Sequence, residues 1–267
     1  MKMTKNALRL FRVAAPLALA ALVALPAPAE QPEAEGSGSQ NAPYFRDLFE
    51  VDYISWSDDR YYLKCENVFL WDTTQDLIPE IRIQAIKTDY GRLFLAQPGL
   101  VYVIGRGFYV EVAGGGGMDQ DDEIVAEGFA EITFEGERIT ATARAKGGWI
   151  DASEVGYFIP DASFQYAFSD RNASKAKYFL GLNSEDFVSH TLQVEHRFTI
   201  RKGYTIGAIL TGIREDTAGE VAWAWAAGAR AQARITEHFG IRWLAQYHRR
   251  DDGVWGIENS LTLDVRF

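Results

Sequence analysis

The stretch VWGIENSLTLDVRF, Val254 to Phe267, decides the fold class of this chain. Apolar side chains occupy alternate positions: Trp255, Ile257, Leu261, Leu263, Val265 and Phe267. The positions between them carry Glu258, Ser260, Thr262, Asp264 and Arg266, and only Val254 and Asn259 interrupt the pattern. A period of two is typical of a β-strand with one apolar and one polar face.

This strand resembles the closing strand of bacterial outer-membrane β-barrels, which ends in Phe with apolar residues at every second position before it. The resemblance implies a transmembrane β-barrel in the outer membrane, in contact with outer-membrane lipid and lipopolysaccharide. It also implies that Leu263, Val265 and Phe267 form a C-terminal signal for the barrel assembly machinery. It identifies no single family.

The first segment has the features of a cleaved signal peptide, residues 1–29. Positive residues come first, an apolar run from Val13 to Leu25 follows, and Ala27-Pro28-Ala29 fits a cleavage site. The apolar run is too short for a spanning helix, although an N-terminal anchor helix is the alternative. Residues 30–43 are rich in Gly, Ser, Pro and acid, and this composition predicts a flexible periplasmic linker.

Charge and cysteine content narrow the function classes. Removing residues 1–29 takes away four positive charges and no negative ones, so the formal charge moves from −10 to −14. Such an acidic exported chain is a poor candidate for binding nucleic acid. The single cysteine, Cys65, permits no internal disulfide.

The remaining chain repeats short segments that alternate in polarity and end in polar turns. Strands of this kind span lipid only when a closed barrel satisfies every backbone group. We therefore predict an all-β fold, a single antiparallel transmembrane β-barrel formed by residues 44–267. The expected strand number is about 12, with 10 to 14 open, because bacterial barrels usually have an even number. Phe45–Trp56 could be a leading extension, and a soluble β-sandwich or lipocalin-like barrel is the alternative fold.

One predicted hairpin shows the two faces most clearly. On Glu123–Phe134 the inward parity carries Glu127 and Glu131, and on Ile139–Trp149 it carries Arg144 and Lys146. A slip of one residue would turn every charge toward lipid. Pairing Phe134 with Ile139 predicts Glu127 opposite Lys146, with Arg144 diagonal to both glutamates.

A second hairpin near the C-terminus predicts a basic wall. There Gln232 is expected to face Arg242, with Arg230 and Arg234 as diagonal neighbours and Glu258 diagonal to Arg242 on the last strand. An arginine wall in a water-filled lumen would favour small anions. We expect a narrow porin-like channel. The alternatives are a non-conducting structural barrel that binds envelope components through acidic extracellular loops, and, less strongly, a lipid-modifying enzyme.

Orientation follows from the C-terminus. If Phe267 lies at the periplasmic side, the segments 113–122, 183–186, 214–220 and 251–253 lie outside. Aromatic side chains near strand ends then predict a girdle at the lipid interface, namely Trp223, Trp225, Trp243, Tyr247 and Trp255.

No catalytic residue, metal site or cofactor is predicted. Ser189 and His190 are adjacent on a strand and face opposite sides, and pairing Leu182 with Val188 places Leu180 opposite His190. The segment Gly114–Glu123 combines four glycines with four carboxylates, but its spacing is not that of a calcium-binding loop, which favours a solvated surface loop.

Overall fold

The computed structural model describes residues 45–71, 76–89, 91–105, 107–121, 124–150, 155–217 and 219–267. The predicted signal peptide and linker, residues 1–43, lie outside these ranges. Among the described residues there is no helix long and apolar enough to cross a membrane.

Fourteen antiparallel strands form one closed barrel, each paired with its neighbours in the chain. The strands are β1 Phe45–Trp56, β2 Tyr61–Trp71, β3 Leu77–Thr88, β4 Arg92–Gly105, β5 Phe108–Asp119, β6 Ile124–Glu135, β7 Ile139–Ile150, β8 Val155–Ser169, β9 Asn172–Asn183, β10 Phe187–Arg201, β11 Tyr204–Thr217, β12 Glu220–Arg234, β13 Phe239–Arg250 and β14 Trp255–Arg266. The predicted fold class is confirmed, with a strand number at the upper end of the expected range.

The barrel closes between its first and last strands. Phe49 lies opposite Leu263 and Val51 opposite Leu261 along the β1–β14 ladder. The suggestion that Phe45–Trp56 is a leading extension is therefore wrong. Without β1, both β2 and β14 would present unpaired backbone groups, which closure removes.

Glycines account for a turn that the sequence pattern concealed. The apolar run 101–112 is two strand ends joined at Gly105 and Gly107, whose φ angles are 95° and 81°. Such positive φ values are open to glycine at little cost. Likewise, the ambiguous segment 81–96 divides into β3 and β4, with Gly91 in the connection.

The barrel has a proximal and a distal end. The proximal end is where β1 begins and β14 ends, and the distal end is the opposite one. The connections 184–186 and 251–254 lie at the distal end, together with the β11–β12 turn, as the alternation of turns predicts.

The strands alternate between a lipid-type outer face and a polar inner face. On β6, Ile124 and Ile132 are 62% and 46% exposed on the outside, whereas Glu127 and Thr133 on the inside are 8% and 1% exposed. This is the parity that the sequence predicts for the strand.

The glycine-rich segment is strand and not loop. Gly114–Gly117 lie within β5, paired with both β4 and β6, which corrects the prediction of a surface loop. A Cβ on Gly117 would come within 1.6 Å of the Phe94 carbonyl oxygen, and one on Gly115 within 2.0 Å of that of Ala96. The run of glycines thus permits a close approach of the β4 and β5 backbones.

Candidate functional site

The candidate site is the inner face of the barrel at mid-height, where charged side chains form a belt. With strands about 4.8 Å apart and tilted by about 40°, a fourteen-stranded barrel has a backbone diameter of about 28 Å. This is well above the diameter of the eight-stranded barrels that side chains fill. The belt therefore lies in a lumen with room for water.

Glu127 anchors one side of the belt. Lys146 Nζ lies 2.7 Å from Glu127 Oε2, and Gln97 Nε2 donates a 2.9 Å hydrogen bond to Glu127 Oε1. The Tyr157 hydroxyl also donates to this carboxylate. These partners offset the cost of holding a carboxylate that is only 8% exposed.

Arg82 links acidic side chains from three strands. Its guanidinium lies 3.1 Å from Glu80 Oε1 and 3.3 Å from Glu66 Oε1, and it also pairs with Glu111. Lys64 Nζ continues this network at 2.6 Å from Glu66 Oε2. The acidic side chains Glu66, Glu80 and Glu111 thus share two cations, Arg82 and Lys64.

Lys64 also forms ion pairs with β1, the strand through which the barrel closes. Its amine lies 3.3 Å from Glu50 and 3.4 Å from Asp52, both on β1. Thr262 on β14 donates a 3.1 Å hydrogen bond to Glu50. Polar contacts therefore connect β1 to both of its neighbours, β2 and β14.

Asp161 on β8 joins the acidic and basic sides. It is 5% exposed, and its carboxylate lies 2.7 Å from Arg144 Nε and 3.2 Å from Lys177 Nζ. Glu131, directly opposite Arg144, accepts a 3.1 Å hydrogen bond from Thr133. On the strands that follow β8, the charged side chains of the inner face are mostly positive.

Five cations on β9 to β13 form what we call the cationic wall: Lys175, Lys177, Arg197, Arg230 and Arg242. Its carboxylate is Glu195, which lies 2.6 Å from Arg230 Nη1 and 3.0 Å from Arg197 Nε. Glu195 is 2% exposed and lies directly opposite Lys175 on the ladder.

Two members of the cationic wall have no ion pair with any residue that the structure describes. Lys175 and Arg242 lie on the inward parity of β9 and β13, as shown by their cross-strand partners Gln165 and Gln232. Arg234, two residues beyond Gln232, likewise pairs with no acid in the described part of the chain. The cationic wall therefore holds positive charge that is not neutralised locally.

The structure brings together most of the charges predicted to line the lumen. Glu127, Glu131, Arg144, Lys146, Arg230, Arg234, Arg242 and Glu258 all lie on the inward parity. Gln232 faces Arg242 as predicted. The predicted role of these charges in permeation stays a prediction.

Two predicted pairings are wrong by two residues. Phe134 pairs with Ala141, so Arg144 lies opposite Glu131, and Lys146 reaches Glu127 diagonally. Glu258 is opposite Gln246 and not diagonal to Arg242. Face parity excludes only odd slips, and an even slip leaves every side chain on its face.

Glu258 belongs instead to a distal polar cluster. Gln246 Nε2 donates a 2.8 Å hydrogen bond to its carboxylate, and His248 Nε2 lies 2.9 Å away. The His248 imidazole also meets the Trp56 ring edge-on, with centroids 5.5 Å apart.

Most of the predicted girdle residues form a row on the outer face. The rings of Trp225 and Tyr247 are 5.9 Å apart, and those of Tyr247 and Trp255 are 6.3 Å apart and stacked. Trp223, 57% exposed, continues the row at the distal end, whereas Trp243 is half-buried nearer the proximal end. Leu263 and Val265 also face outward, and Phe267 is 72% exposed. The girdle and assembly roles stay predictions.

A serine–histidine contact on the outer face was not predicted from the sequence. Ser174 Oγ lies 2.9 Å from His196 Nδ1 on the outer face, because β9 and β10 place the two residues opposite each other. Their other cross-strand neighbours are Tyr166 and Ala208. No carboxylate in the described ranges contacts His196, so the third group that orients a catalytic base is missing there.

His190 contacts a tyrosine, as its position opposite Leu180 allows. Its Nδ1 lies 2.6 Å from the Tyr178 hydroxyl. Within the described residues, no group of three or more His, Cys, Asp or Glu side chains could hold a metal ion.

Comparison with known proteins shows the fold. No protein-family model and no curated protein matches the sequence. The solved structure of CymD, a monoaromatic hydrocarbon channel, is similar with a TM-score of 0.65 at 8% identity, covering 84% of this chain and 88% of that one. OmpT, an outer membrane protein of Vibrio cholerae, gives 0.53 at 8% identity, covering 87% and 100%. The chain thus has the fold of bacterial outer-membrane β-barrels.

Proposed function

We propose that this protein is an outer-membrane channel that conducts small anionic solutes through the barrel lumen. The cationic wall carries the proposal, because Glu195 pairs there with Arg197 and Arg230, Lys177 pairs with Asp161, and Lys175 and Arg242 have no ion pair among the described residues. Rings of basic side chains select anions in pores of known type. The sequence predicts a porin-like channel, and this proposal assigns its anion preference to side chains on β9–β13.

The placement in the envelope is part of the proposal. We expect residues 1–29 to direct export and to be cleaved, and the C-terminal strand to engage the assembly machinery. The proximal end would then face the periplasm and the outward aromatic row would contact lipid and lipopolysaccharide.

The alternative is a non-conducting barrel that binds envelope components. Such a barrel needs its internal charges to be paired. Outside the cationic wall, Glu131 and Glu258 lack ion pairs to lysine or arginine but accept hydrogen bonds. Lys175 and Arg242 have no ion pair among the described residues, and this favours conduction.

Planar-bilayer recording of purified, refolded protein tests the function. We expect discrete conductance steps and, in a KCl gradient, a reversal potential that indicates chloride preference. Arg242→Gln and Lys175→Gln should each lower the chloride-to-potassium permeability ratio by up to about tenfold, because one unit charge about 6 Å from an ion in water favours chloride and disfavours potassium by about 0.7 kcal/mol each.

Lys202→Gln is the matched control, because it removes the same charge from an exposed residue of the β10–β11 turn. It should leave the permeability ratio unchanged. Protein that is folded, as judged by heat-modifiable gel mobility, and that gives no steps at any voltage would refute the channel.

A further inference from the structure

The inner face of the barrel changes character from the belt to the distal end. Among the apolar residues that point inward on the distal side, six form what we call the apolar tier: Ile54, Trp56, Leu93, Ile159, Phe179 and Ile213. Their inward parity follows from the strand alternation, since Ile54 lies two residues from Asp52, Ile159 two from Asp161, and Phe179 two from Lys177.

The proximal side of the belt is different on most strands. Two residues from the belt charges, the inward positions there carry Thr133, Thr142, Ser163, Thr199 and Gln232. Among the described residues, inward aliphatic side chains larger than alanine on that side, such as Ile78 and Val101, belong to β1–β4. A solute that enters from the distal end therefore meets the apolar tier, where Glu258 lies directly opposite Ile54, before it reaches the cationic wall.

The apolar tier is accessible from the lumen. All six of its side chains are half-buried, and because they point inward their exposed surface faces the lumen and not the outer face. Trp56 lies against the backbone of Gly256, where a Cβ would come within 2.7 Å of the indole ring. Glycine at position 256 thus lets a large aromatic ring lie flat along the inner wall.

The apolar tier and the cationic wall meet on β9. Lys177 Nζ lies 4.2 Å from the centroid of the Phe179 ring, and Lys175 is the next inward residue toward the proximal end. Ile159 is on the neighbouring strand, two residues from Asp161, which pairs with Phe179. The ammonium group of Lys177 and the apolar surface of Phe179 are thus close enough for one small molecule to contact both.

We propose that the solutes of this channel are amphipathic organic anions: small monocarboxylates whose apolar or aromatic body binds the apolar tier while the carboxylate binds the cationic wall. The proposal rests on the proposed function and specifies its solute class. A chloride-type channel for hydrophilic anions would gain nothing from apolar side chains at this level, because they offer no hydrogen bonds to water or ions.

The test uses block of the chloride current by acetate, butyrate, hexanoate and benzoate, added in turn at the distal side of protein inserted in a bilayer. The half-blocking concentration should fall two- to fourfold for each added methylene group, as expected for burial of apolar surface. Benzoate should block more strongly than benzyl alcohol, which lacks the charge.

Variants assign the effect to the apolar tier. The double variant Ile54→Thr/Ile213→Thr should flatten the dependence on chain length and keep the chloride current. The matched control Ile78→Thr/Val101→Thr places the same change on the proximal side and should retain that dependence.

The outcomes separate this inference from the channel itself. If the protein conducts and all four carboxylates block it equally, the proposed solute class is wrong and the proposed channel function still stands. A chain-length dependence that persists in Ile54→Thr/Ile213→Thr overturns the assignment to the apolar tier. If folded protein gives no chloride current, the proposed function fails and the inference fails with it.

Discussion

Lys146 Nζ lies 2.7 Å from Glu127 Oε2, although the two residues are not cross-strand partners. Glu127 is opposite Gly148, and Lys146 is opposite Phe129. The ion pair therefore runs diagonally across the ladder beside Gly148, whose missing Cβ leaves room for the Tyr157 ring. It is one of the contacts that hold β6 and β7 in their observed register.

Removing the lysine should destabilise the barrel. Lys146→Met leaves the buried Glu127 carboxylate with hydrogen bonds from Gln97 and Tyr157 only. Because Lys146 is itself 29% exposed, we expect a loss of about 1–3 kcal/mol in the free energy of unfolding. Equilibrium unfolding in urea, followed by tryptophan fluorescence in lipid vesicles, measures it.

A double-mutant cycle provides the control. Glu127→Gln in the Lys146→Met background removes the unpaired charge and should restore part of the stability. Additive effects of the two substitutions would mean that the ion pair contributes nothing.

Gly117→Ala should prevent folding or destabilise the barrel by more than about 3 kcal/mol. The new Cβ would overlap the Phe94 carbonyl oxygen, so β4 and β5 would have to separate. Gly114→Ala is the matched control, since its Cβ would approach backbone atoms only to 3.8 Å. The yield of heat-modifiable protein after refolding compares the two, and equal yields would contradict the close approach of these strands.

Adjacent residues on β11 test the assignment of faces. Leu210 is 64% exposed on the outer face near the middle of its strand, and Thr211 points into the lumen. Leu210→Arg should lower the free energy of unfolding in lipid by about 2–4 kcal/mol, the cost of arginine at the bilayer midplane.

Thr211→Arg should cost less than this, because the lumen is polar and its side chain loses only two 3.4 Å hydrogen bonds. Urea titrations in the same vesicles give both values. A larger loss for Thr211→Arg would reverse the assignment of inside and outside.

Barrel closure through β1 can be trapped by a disulfide. In a Cys65→Ser background, Val51→Cys/Leu261→Cys places two cysteines directly opposite each other on the β1–β14 ladder. Cβ atoms of opposite residues are about 4.5–5.5 Å apart, which is near disulfide geometry, whereas diagonal neighbours are about 7–8 Å apart.

We therefore expect Val51→Cys/Leu261→Cys to form an intramolecular disulfide on mild oxidation. The diagonal control Val51→Cys/Leu263→Cys should not. Non-reducing electrophoresis distinguishes them, and cross-linking of the diagonal pair alone would indicate a different register at the seam.

Some features of the lumen followed from local pattern. The inward parity of Glu127, Arg144 and Arg242 was predictable, because successive strand residues alternate faces and a charge on the lipid side is costly. The pairing of Gln232 with Arg242 was also predictable, since the short connection 235–238 leaves few registers that keep Ile235 and Phe239 together.

Other features depended on distant strands. The register of β6 and β7 differs by two residues from the prediction, because parity allows any even slip and β5 and β8 select one of them. The Ser174–His196 contact was missed because β9 begins at Asn172, five residues before the apolar pattern suggested. A polar start to a strand carries no period-two signal.

The sequence by itself determined that the chain is all-β, which residues of most strands share a face, and that the last strand ends outward-facing at Phe267. These follow from the period of two, which each strand carries within its own residues. Only the tertiary structure decided the count of fourteen strands, the closure of β1 on β14 and the even register shifts. It alone placed Lys175 opposite Glu195, and Arg242 between Gln232 and Thr262, with no ion pair of their own among the described residues. Contacts between separate strands depend on ring closure, which no single strand encodes.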